Sequence, residues 1–503
     1  MGPLRRFAQA PERHEPLPGK ARLLEPLRVT VVGGGLAGCA AALILAERGA
    51  AVTVIEREPV LGGRVGAIPD RLATGQPIAM ERGFHAFFRQ YYNLRAFMRR
   101  FDPDLSSLVP LDDYPLLGPG GRSESFAGLP HATPLNVMAL VWRTPSLGLG
   151  DLARVDARQA LEMLRFSPER TWAAFDDQPA STWLDALRFP ARARQMLFDV
   201  FAHSFFDAEH EMSAARMIEM FHLYFTGNPE GLVFDVMGSP FSEGLWRPAQ
   251  ALLEGLGVRF VPDTRVEGLD RAGSALRVRT SGSDELADAV VLATDVAGLQ
   301  TIVAGSPQVA PAALRAQVAR LSAARPFCVW RLWLDAPTRP GRSAFAGTAG
   351  CGWLDNISLL HLYQDEARAF AEGSGGSVVE LHAYALPPGT DEGAVRRDLW
   401  RQAVALYPEL GAARVIDERL LLRDDCPAFP PGSRAQRPTV ATAEPRLVLA
   451  GDHVRLPFPA ALMEAAVSSG MLAANHLLAT AGVRGETLWS VPRRGIFASG
   501  GPR

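Results

Sequence analysis

Lysine is almost missing from this chain: Lys20 is the only one, and arginine supplies the rest of the 52 basic residues. Schiff-base and lysine-activated chemistry is therefore excluded from the folded body, unless Lys20 itself reaches the site. Cysteine is scarce as well. Cys39, Cys328, Cys351 and Cys426 lie far apart with no CxxC pair, which excludes a disulfide scaffold, a zinc ribbon and a Rieske iron–sulfur module. Such usage fits a reducing cytoplasm. Nor is there an excess of charge of one sign: 52 basic and 54 acidic residues leave −2, with no long basic run, so no nucleic-acid partner is expected. No targeting signal is expected at Met1-Gly2-Pro3-Leu4-Arg5-Arg6. Arg6 stands where myristoylation needs Ser or Thr, and polar, proline-rich residues follow the Arg5-Arg6 pair. The longest apolar run, Val29 to Ala46, contains Gly33, Gly34, Gly35 and Gly38; it is expected to be a buried strand, turn and helix, not a membrane span.

What is present is a globular composition, 48% hydrophobic and 21% charged. At 503 residues the chain exceeds what one core supports, so two or three co-folded lobes are expected. Arg28 to Val32 is a β-branched run, Gly33-Gly34-Gly35-Leu36-Ala37-Gly38 follows, and an Ala/Leu-rich helix runs to about Arg48. This is GxGxxG between strand and helix, the context of dinucleotide binding. Gly33 permits the tight turn, Gly35 lets the backbone approach a pyrophosphate, and Gly38 allows close helix–strand packing. A diphosphate would sit on the helix N-terminus, where free N–H groups favour negative charge. The next strand, Ala51 to Ile55, ends in Glu56, placed to accept hydrogen bonds from a ribose diol and to repel a 2′-phosphate.

Three further segments separate FAD from NAD by resemblance. Leu61-Gly62-Gly63-Arg64 resembles the second FAD signature of the amine oxidase and carotenoid desaturase superfamily, in which the Arg lies by the phosphate–ribityl region. Thr264-Arg265-Val266-Glu267-Gly268 and the run Ala287 to Thr294 resemble its adenine-contact strand and a later Rossmann strand, with the backbone of Val266 at the adenine edge. Arg446-Leu447-Val448-Leu449-Ala450-Gly451-Asp452, followed by the small-residue helix beginning Met463-Glu464, resembles its C-terminal FAD segment. There the Asp meets a ribityl hydroxyl and the helix N-terminus meets the flavin's pyrimidine end. The resemblance implies non-covalent FAD, held by pieces from both ends of the chain.

The segment Met80-Glu81-Arg82-Gly83-Phe84-His85-Ala86-Phe87-Phe88-Arg89-Gln90-Tyr91-Tyr92-Asn93-Leu94-Arg95 reads as a strand entering a helix at about Arg89. Gly83, amid bulky neighbours, permits close approach of a flat ring. The segment is similar to plant-type carotene desaturases, and more so to isorenieratene synthases, the bacterial β-carotene desaturase/methyltransferases. His85 has two readings, a core histidine or a group at the flavin edge. Arg82 and Arg89 suit ion pairs, with Glu81 a partner of either. Glu81 is a candidate base only if buried with a raised pKa. Catalytic candidates are thus His85, Glu81 and Arg82. Over about residues 152–225, Met196, Leu197, Phe198, Val200, Phe201, Phe205 and Phe206 crowd one helix, and Met217, Ile218, Met220, Phe221, Tyr224 and Phe225 the next. Such stripes fit core packing, and equally the wall of an apolar channel. His203 and His210 share a helical face without an acidic partner at metal-ligand spacing, so no metal site is expected. Trp330 to Leu334 alternates like a strand walling the substrate lobe.

The expected fold is α/β: a Rossmann-type FAD-binding domain assembled from discontinuous segments, with a mixed-sheet substrate domain and a helical lobe. The expected partition is a flexible extension over 1–27, FAD-binding parts over 28–100, 241–320 and 441–480, a largely helical substrate- and membrane-facing lobe over 101–240, a substrate sheet over 321–440 and a tail over 481–503. The resemblance implies desaturation of β-carotene rings with methyl migration to aromatic rings, and an electron acceptor such as a quinone or oxygen. A lipid-soluble substrate implies a cytoplasmic protein on a membrane surface. Alternatives are a straight-chain carotene desaturase or isomerase, a flavin amine oxidase, which the shortage of lysine disfavours, and a non-catalytic carotenoid-binding flavoprotein.

Overall fold

A computed structural model describes residues 10–111, 113–130, 133, 135–144 and 148–498. The Met1–Arg6 stretch lies outside the described residues, as do the side chains of Leu197 and Val200. The β-branched runs pair in one parallel sheet with spatial order Arg259–Val261, Ala51–Ile55, Arg28–Val32, Ala289–Leu292, Leu447–Leu449. Its strands come from both ends and the middle of the chain, so the dinucleotide-binding half is discontinuous. Helix Leu36–Glu47 is buried from Leu36 to Ala46, because the sheet covers one side and helix Leu462–Thr480 the other. A helix apolar all round is the expected composition for such a place. Small residues set that contact: a Cβ added to Gly470 would lie 2.0 Å from the Ala37 carbonyl.

The second lobe is a seven-stranded sheet, ordered Val415–Arg423, Phe327–Leu334, Ser377–Ala383, Asn356–Leu359, Phe345–Thr348, Leu116–Gly118, Arg122–Glu124. It is mixed, because Phe345–Thr348 pairs in parallel with Leu116–Gly118 while the other pairs are antiparallel. Every residue of the Phe327–Leu334 strand, second in this order, is buried. Helices Leu135–Arg143, Pro168–Phe175, Ala180–Leu187 and Ala214–Phe221 form a third layer. The last runs into a π-helical turn, His222–Thr226, a device that re-aims side chains and recurs at functional sites.

Three expectations are corrected here. Residues 108–111, 116–118 and 122–124 are strands, so the helical lobe begins later than 101. The strand expected from Phe84 into a helix at Arg89 is instead a short Phe87–Phe88 strand, then helix Tyr92–Met98; ladder partners in Phe234–Met237 decide this, and they are remote in sequence. Within 1–27, the described residues are not free. Glu12–His14 pairs antiparallel with Leu488–Ser490, and the Lys20 N–H donates to Gly482 O at 3.0 Å. All four cysteines are buried and unbridged. Among the described residues, no helix is long and apolar enough to cross a membrane.

Candidate active site

One large cavity, about 1160 Å³, runs from the glycine-rich turn to the aromatic helices. It exceeds the ~300–1,000 Å³ common for a single small ligand. At one end lie Gly33, Gly35 and the start of helix Leu36–Glu47. Gly33 holds φ +105°, and a Cβ there would lie 2.5 Å from the Ala293 carbonyl. Gly38 packs beneath it, its hypothetical Cβ only 1.9 Å from Gly33 O. Gly35 differs: an added Cβ would face the cavity, with Gly62 O the nearest atom at 3.8 Å. No side chain caps that helix, and its first turn has no acid, so its free N–H groups open on the cavity. This cradle fits a diphosphate. Glu56 lines it too, accepting from Gly34 N at 2.6 Å and Glu58 N at 2.9 Å. Each carboxylate oxygen retains a lone pair for a ribose hydroxyl. Thr264, Arg265 and Val266 border the same end.

Farther in, Gly62, Gly63, Arg64, Gly451, Asp452 and Met463 line the wall. Arg64 donates to both oxygens of Asp452, at 2.9 and 2.6 Å. Burial works against the Asp452 charge, but Arg64 outweighs it and holds the acid below the usual carboxylate range. Gly451, at φ +137°, donates its N–H to Ser469 Oγ at 2.7 Å. Helix Leu462–Thr480 starts here without a side-chain cap, and Leu462, on the cavity wall, holds a left-handed φ of +50°. Two uncapped helix N-termini thus converge on one cavity, suiting a cofactor negative at its diphosphate and, when reduced, at its ring.

The remaining candidates divide. Arg82 and His85 line the cavity; Arg82 is ion-paired with Asp425. The Nδ1–H of His85 donates to Gly83 O at 2.8 Å, and burial lowers the imidazole to about 4. It is neutral at physiological pH, with Nε2 free to accept. Glu81 does not reach the cavity. It is 3% exposed and accepts from Arg331 and Gln364 side chains and from Phe241 N, each at 2.9 Å. Burial does raise its pKa, but its oxygens are engaged away from any substrate. Gly83 makes room for a different ring from the one expected: a Cβ there would lie 2.7 Å from Cε1 of His382. Glu464, expected at the flavin, turns the other way. It accepts from Asn93 N, Asn93 Nδ2 and Leu94 N at 3.0, 2.9 and 2.9 Å, capping helix Tyr92–Met98 from outside, and burial pushes it up to about 8. Glu464→Ala should therefore cost about 1–3 kcal/mol in urea unfolding, the usual penalty for stranding buried donors, while flavin content is kept. Unchanged stability with lost flavin would put the carboxylate at the cofactor after all.

Sequence reasoning missed His382, Tyr384, Asn356 and Asp355, which line the cavity opposite His85. The sole lysine, Lys20, is exposed at the surface and is not among the lining residues. Beyond them the wall is aromatic: Phe84 stacks on Phe345 (centroids 4.2 Å), and Phe201 on Phe221 (4.6 Å). Phe198, Phe206, Tyr224 and Phe225 also face the cavity, while Met217, Ile218 and Met220 are core. His203 pairs with Asp355 at 2.8 Å. Among the described residues no group of three or more His, Cys, Asp or Glu could hold a metal ion.

The family model described as flavin containing amine oxidoreductase matches residues 36–478. The chain is 47% identical over 482 residues to a carotenoid phi-ring synthase of Streptomyces griseus, covering 95% of this chain and 93% of that one. It is 27% identical to the protein of that name in Chlorobaculum tepidum, over 95% and 92% of the two chains. A zeta-carotene desaturase of Zea mays is 29% identical over 55% of this chain and 51% of its own. Among solved structures, putrescine oxidase bound to putrescine has TM-score 0.66 at 15% identity, covering 90% of this chain and 99% of that one. Fold, cavity and relatives agree: the chain belongs to the flavin containing amine oxidoreductase family and is a FAD-dependent oxidoreductase.

Proposed function

We propose that the protein desaturates the β-rings of β-carotene with migration of one geminal methyl group, turning each ring aromatic. The observation that carries this reading is the end-to-end match to a carotenoid phi-ring synthase at 47% identity, whereas similarity to the maize zeta-carotene desaturase spans only 55% of the chain. FAD, when bound, supplies the hydride acceptor. The residues' own work is to bind, orient and exclude water. A hydrocarbon ring offers nothing to hydrogen-bond, so its affinity comes from apolar burial at roughly 25 cal/mol per Å², which Phe84, Tyr114, Phe234 and Phe345 provide together. Gly33, Gly35 and Gly38 with Glu56 hold the adenosine diphosphate half in this reading, and Gly62, Gly63, Arg64, Gly451, Asp452 and Met463 the ribityl and flavin half. A β-ring with one double bond loses two hydrogen pairs, so each ring takes two turnovers, and the migrating methyl needs no external donor.

Expression in cells that make β-carotene, beside cells that stop at lycopene, tests this. Aromatic-ring pigments in the first and unchanged lycopene in the second are expected. Altered lycopene or its precursors, with β-carotene untouched, would hand the case to straight-chain desaturation.

The substrate dissolves only in lipid, and helix Leu135–Arg143 offers a way in from a bilayer. Leu140 and Val141 line the cavity, while Leu135, Met138 and Trp142 of the same helix are 40%, 62% and 85% exposed. One helix thus joins the cavity to an exposed apolar face, as a helix lying in a membrane interface would. Met138→Glu with Trp142→Glu should abolish flotation with liposomes while keeping flavin content. Equal flotation of variant and wild type would place the contact elsewhere.

A further inference from the structure

In strand Ser377–Ala383 and just after it, residues 378–386 are apolar except at Glu380, His382 and Tyr384, which alternate and so share one face. Gly83 packs against His382, and Glu81, the last residue of strand Pro77–Glu81, is joined to Glu380 through Arg331. A single directional hydrogen-bond chain results. Arg331 Nε donates to Glu380 Oε2 at 2.7 Å and its Nη2 to Glu81 Oε2 at 2.9 Å. His382 Nε2 lies 2.8 Å from Glu380 Oε1. Burial opposes charge on Glu380, but Arg331 and His382 outweigh it and bring it down to about 2; as an ionised acid it can only accept, so Nε2 carries the proton. Nδ1 then has the free lone pair and accepts from the Tyr384 hydroxyl at 2.9 Å. Asn356 Nδ2 donates to that same hydroxyl oxygen at 3.0 Å. The imidazole is 1% exposed and occupies the space that a side chain at position 83 would fill. Tyr384 ends the chain at the cavity wall, beside Phe206 and Phe327.

This arrangement matches the logic of a nucleophile–histidine–carboxylate triad, with a phenol at the front. We propose that Tyr384 is the catalytic base of the ring reaction, passing its own proton to His382, which Glu380 and Arg331 position. The inference rests on the reading under Proposed function. FAD, when bound, would supply the hydride acceptor, and a ring that had lost a hydride would be positive. In the step assigned here a neighbouring C–H bond breaks and its electron pair becomes the new ring double bond. The substrate proton bonds to the phenolic oxygen, and the phenol's former proton moves to Nδ1 of His382. The imidazolium formed faces the Glu380 carboxylate, and its proton returns to water after product leaves. The charged and titratable groups around this pair are Glu380 on the same segment, Arg331 on the adjacent strand, His85 across Gly83, and Asp355 and Cys426 beside Tyr384.

Tyr384→Phe and His382→Gln, each purified with FAD, test the assignment on whichever carotenoid the wild type converts. Tyr384→Phe removes one oxygen and should keep full flavin content and KM while kcat falls about a hundredfold or more. His382→Gln, which removes the acceptor of the phenol's proton, should likewise keep flavin content and KM while kcat falls. In the 15N-histidine-labelled holoprotein, a downfield N–H resonance from His382 should vanish in His382→Gln and shift in Tyr384→Phe. A Tyr384→Phe or His382→Gln enzyme with at least half of wild-type kcat would overturn the proposal. Conversion of a straight-chain carotene in place of β-carotene would end the ring reading alone. Loss of kcat in Tyr384→Phe on that substrate would still support the base, and its retention would refute it.

Discussion

Replacing Arg331 with methionine is expected to lower the free energy of unfolding by about 3–5 kcal/mol at neutral pH, the usual cost of stranding buried charge. Arg331 is 1% exposed and is the cation between Glu81 and Glu380, themselves 3% and 1% exposed. Methionine keeps the bulk but leaves two carboxylates facing each other in an apolar sheet. The pH dependence has a definite sign. In the wild type Glu380 titrates near 2, below its ordinary 4.5, so its contribution is present above 4.5 and lost as pH falls through 2. In the variant both acids are pushed upward, and protonation relieves them. The deficit should therefore shrink on going from pH 7 to pH 5. Urea unfolding at the two pH values checks this. A loss below 1 kcal/mol, or a deficit that grows on acidification, would mean that Arg331 does not neutralise the pair.

Gly38→Val should abolish flavin binding. The hypothetical Cβ at Gly38 lies 1.9 Å from the Gly33 carbonyl, and that carbonyl belongs to the turn that presents Gly35 and the helix N-terminus to the cavity. The neighbour is backbone, not a flexible side-chain tip, so turn and helix must separate. The N–H groups that form the diphosphate cradle move with them. Gly255→Val is the control, since an added Cβ there meets nothing within 4 Å. The ratio of flavin to protein absorbance after purification gives the answer: near zero for Gly38→Val and unchanged for Gly255→Val. Full flavin in Gly38→Val would remove the turn from the cofactor site.

The dinucleotide half was legible in the sequence because its chemistry is local. Strand, glycine turn and helix follow one another, and Gly33, Gly35, Gly38 and Glu56 fall within one unit. Gly62 to Arg64 and Gly451 with Asp452 were legible as short blocks, and their convergence on one cavity is what a discontinuous sheet provides. The roles of Glu81 and Glu464 were not legible. Their partners, Arg331 and Asn93, stand 250 and 371 residues away, and a buried acid near a motif looks the same from sequence whether it faces a ligand or a helix end. Gly83 was read as making room for a flat ring at the cofactor; the ring packed against it is the His382 imidazole from a distant strand. His382 and Tyr384 did leave a signal: three polar residues, Glu380, His382 and Tyr384, alternate through the otherwise apolar residues 378–386, which places all three on one face. The aromatic stripes divided as both of their readings allowed. Phe201, Phe221 and Phe225 face the cavity, and Met217 and Met220 pack in the core.

The most direct measurement of the central claim is the mass of the product made by purified, FAD-loaded protein from β-carotene presented in liposomes with an electron acceptor. A one-ring intermediate and then a final product are expected, each modified ring lighter by two hydrogen pairs with the carbon count unchanged. Recovery of intact β-carotene, with lycopene or its precursors converted under the same conditions, would contradict it.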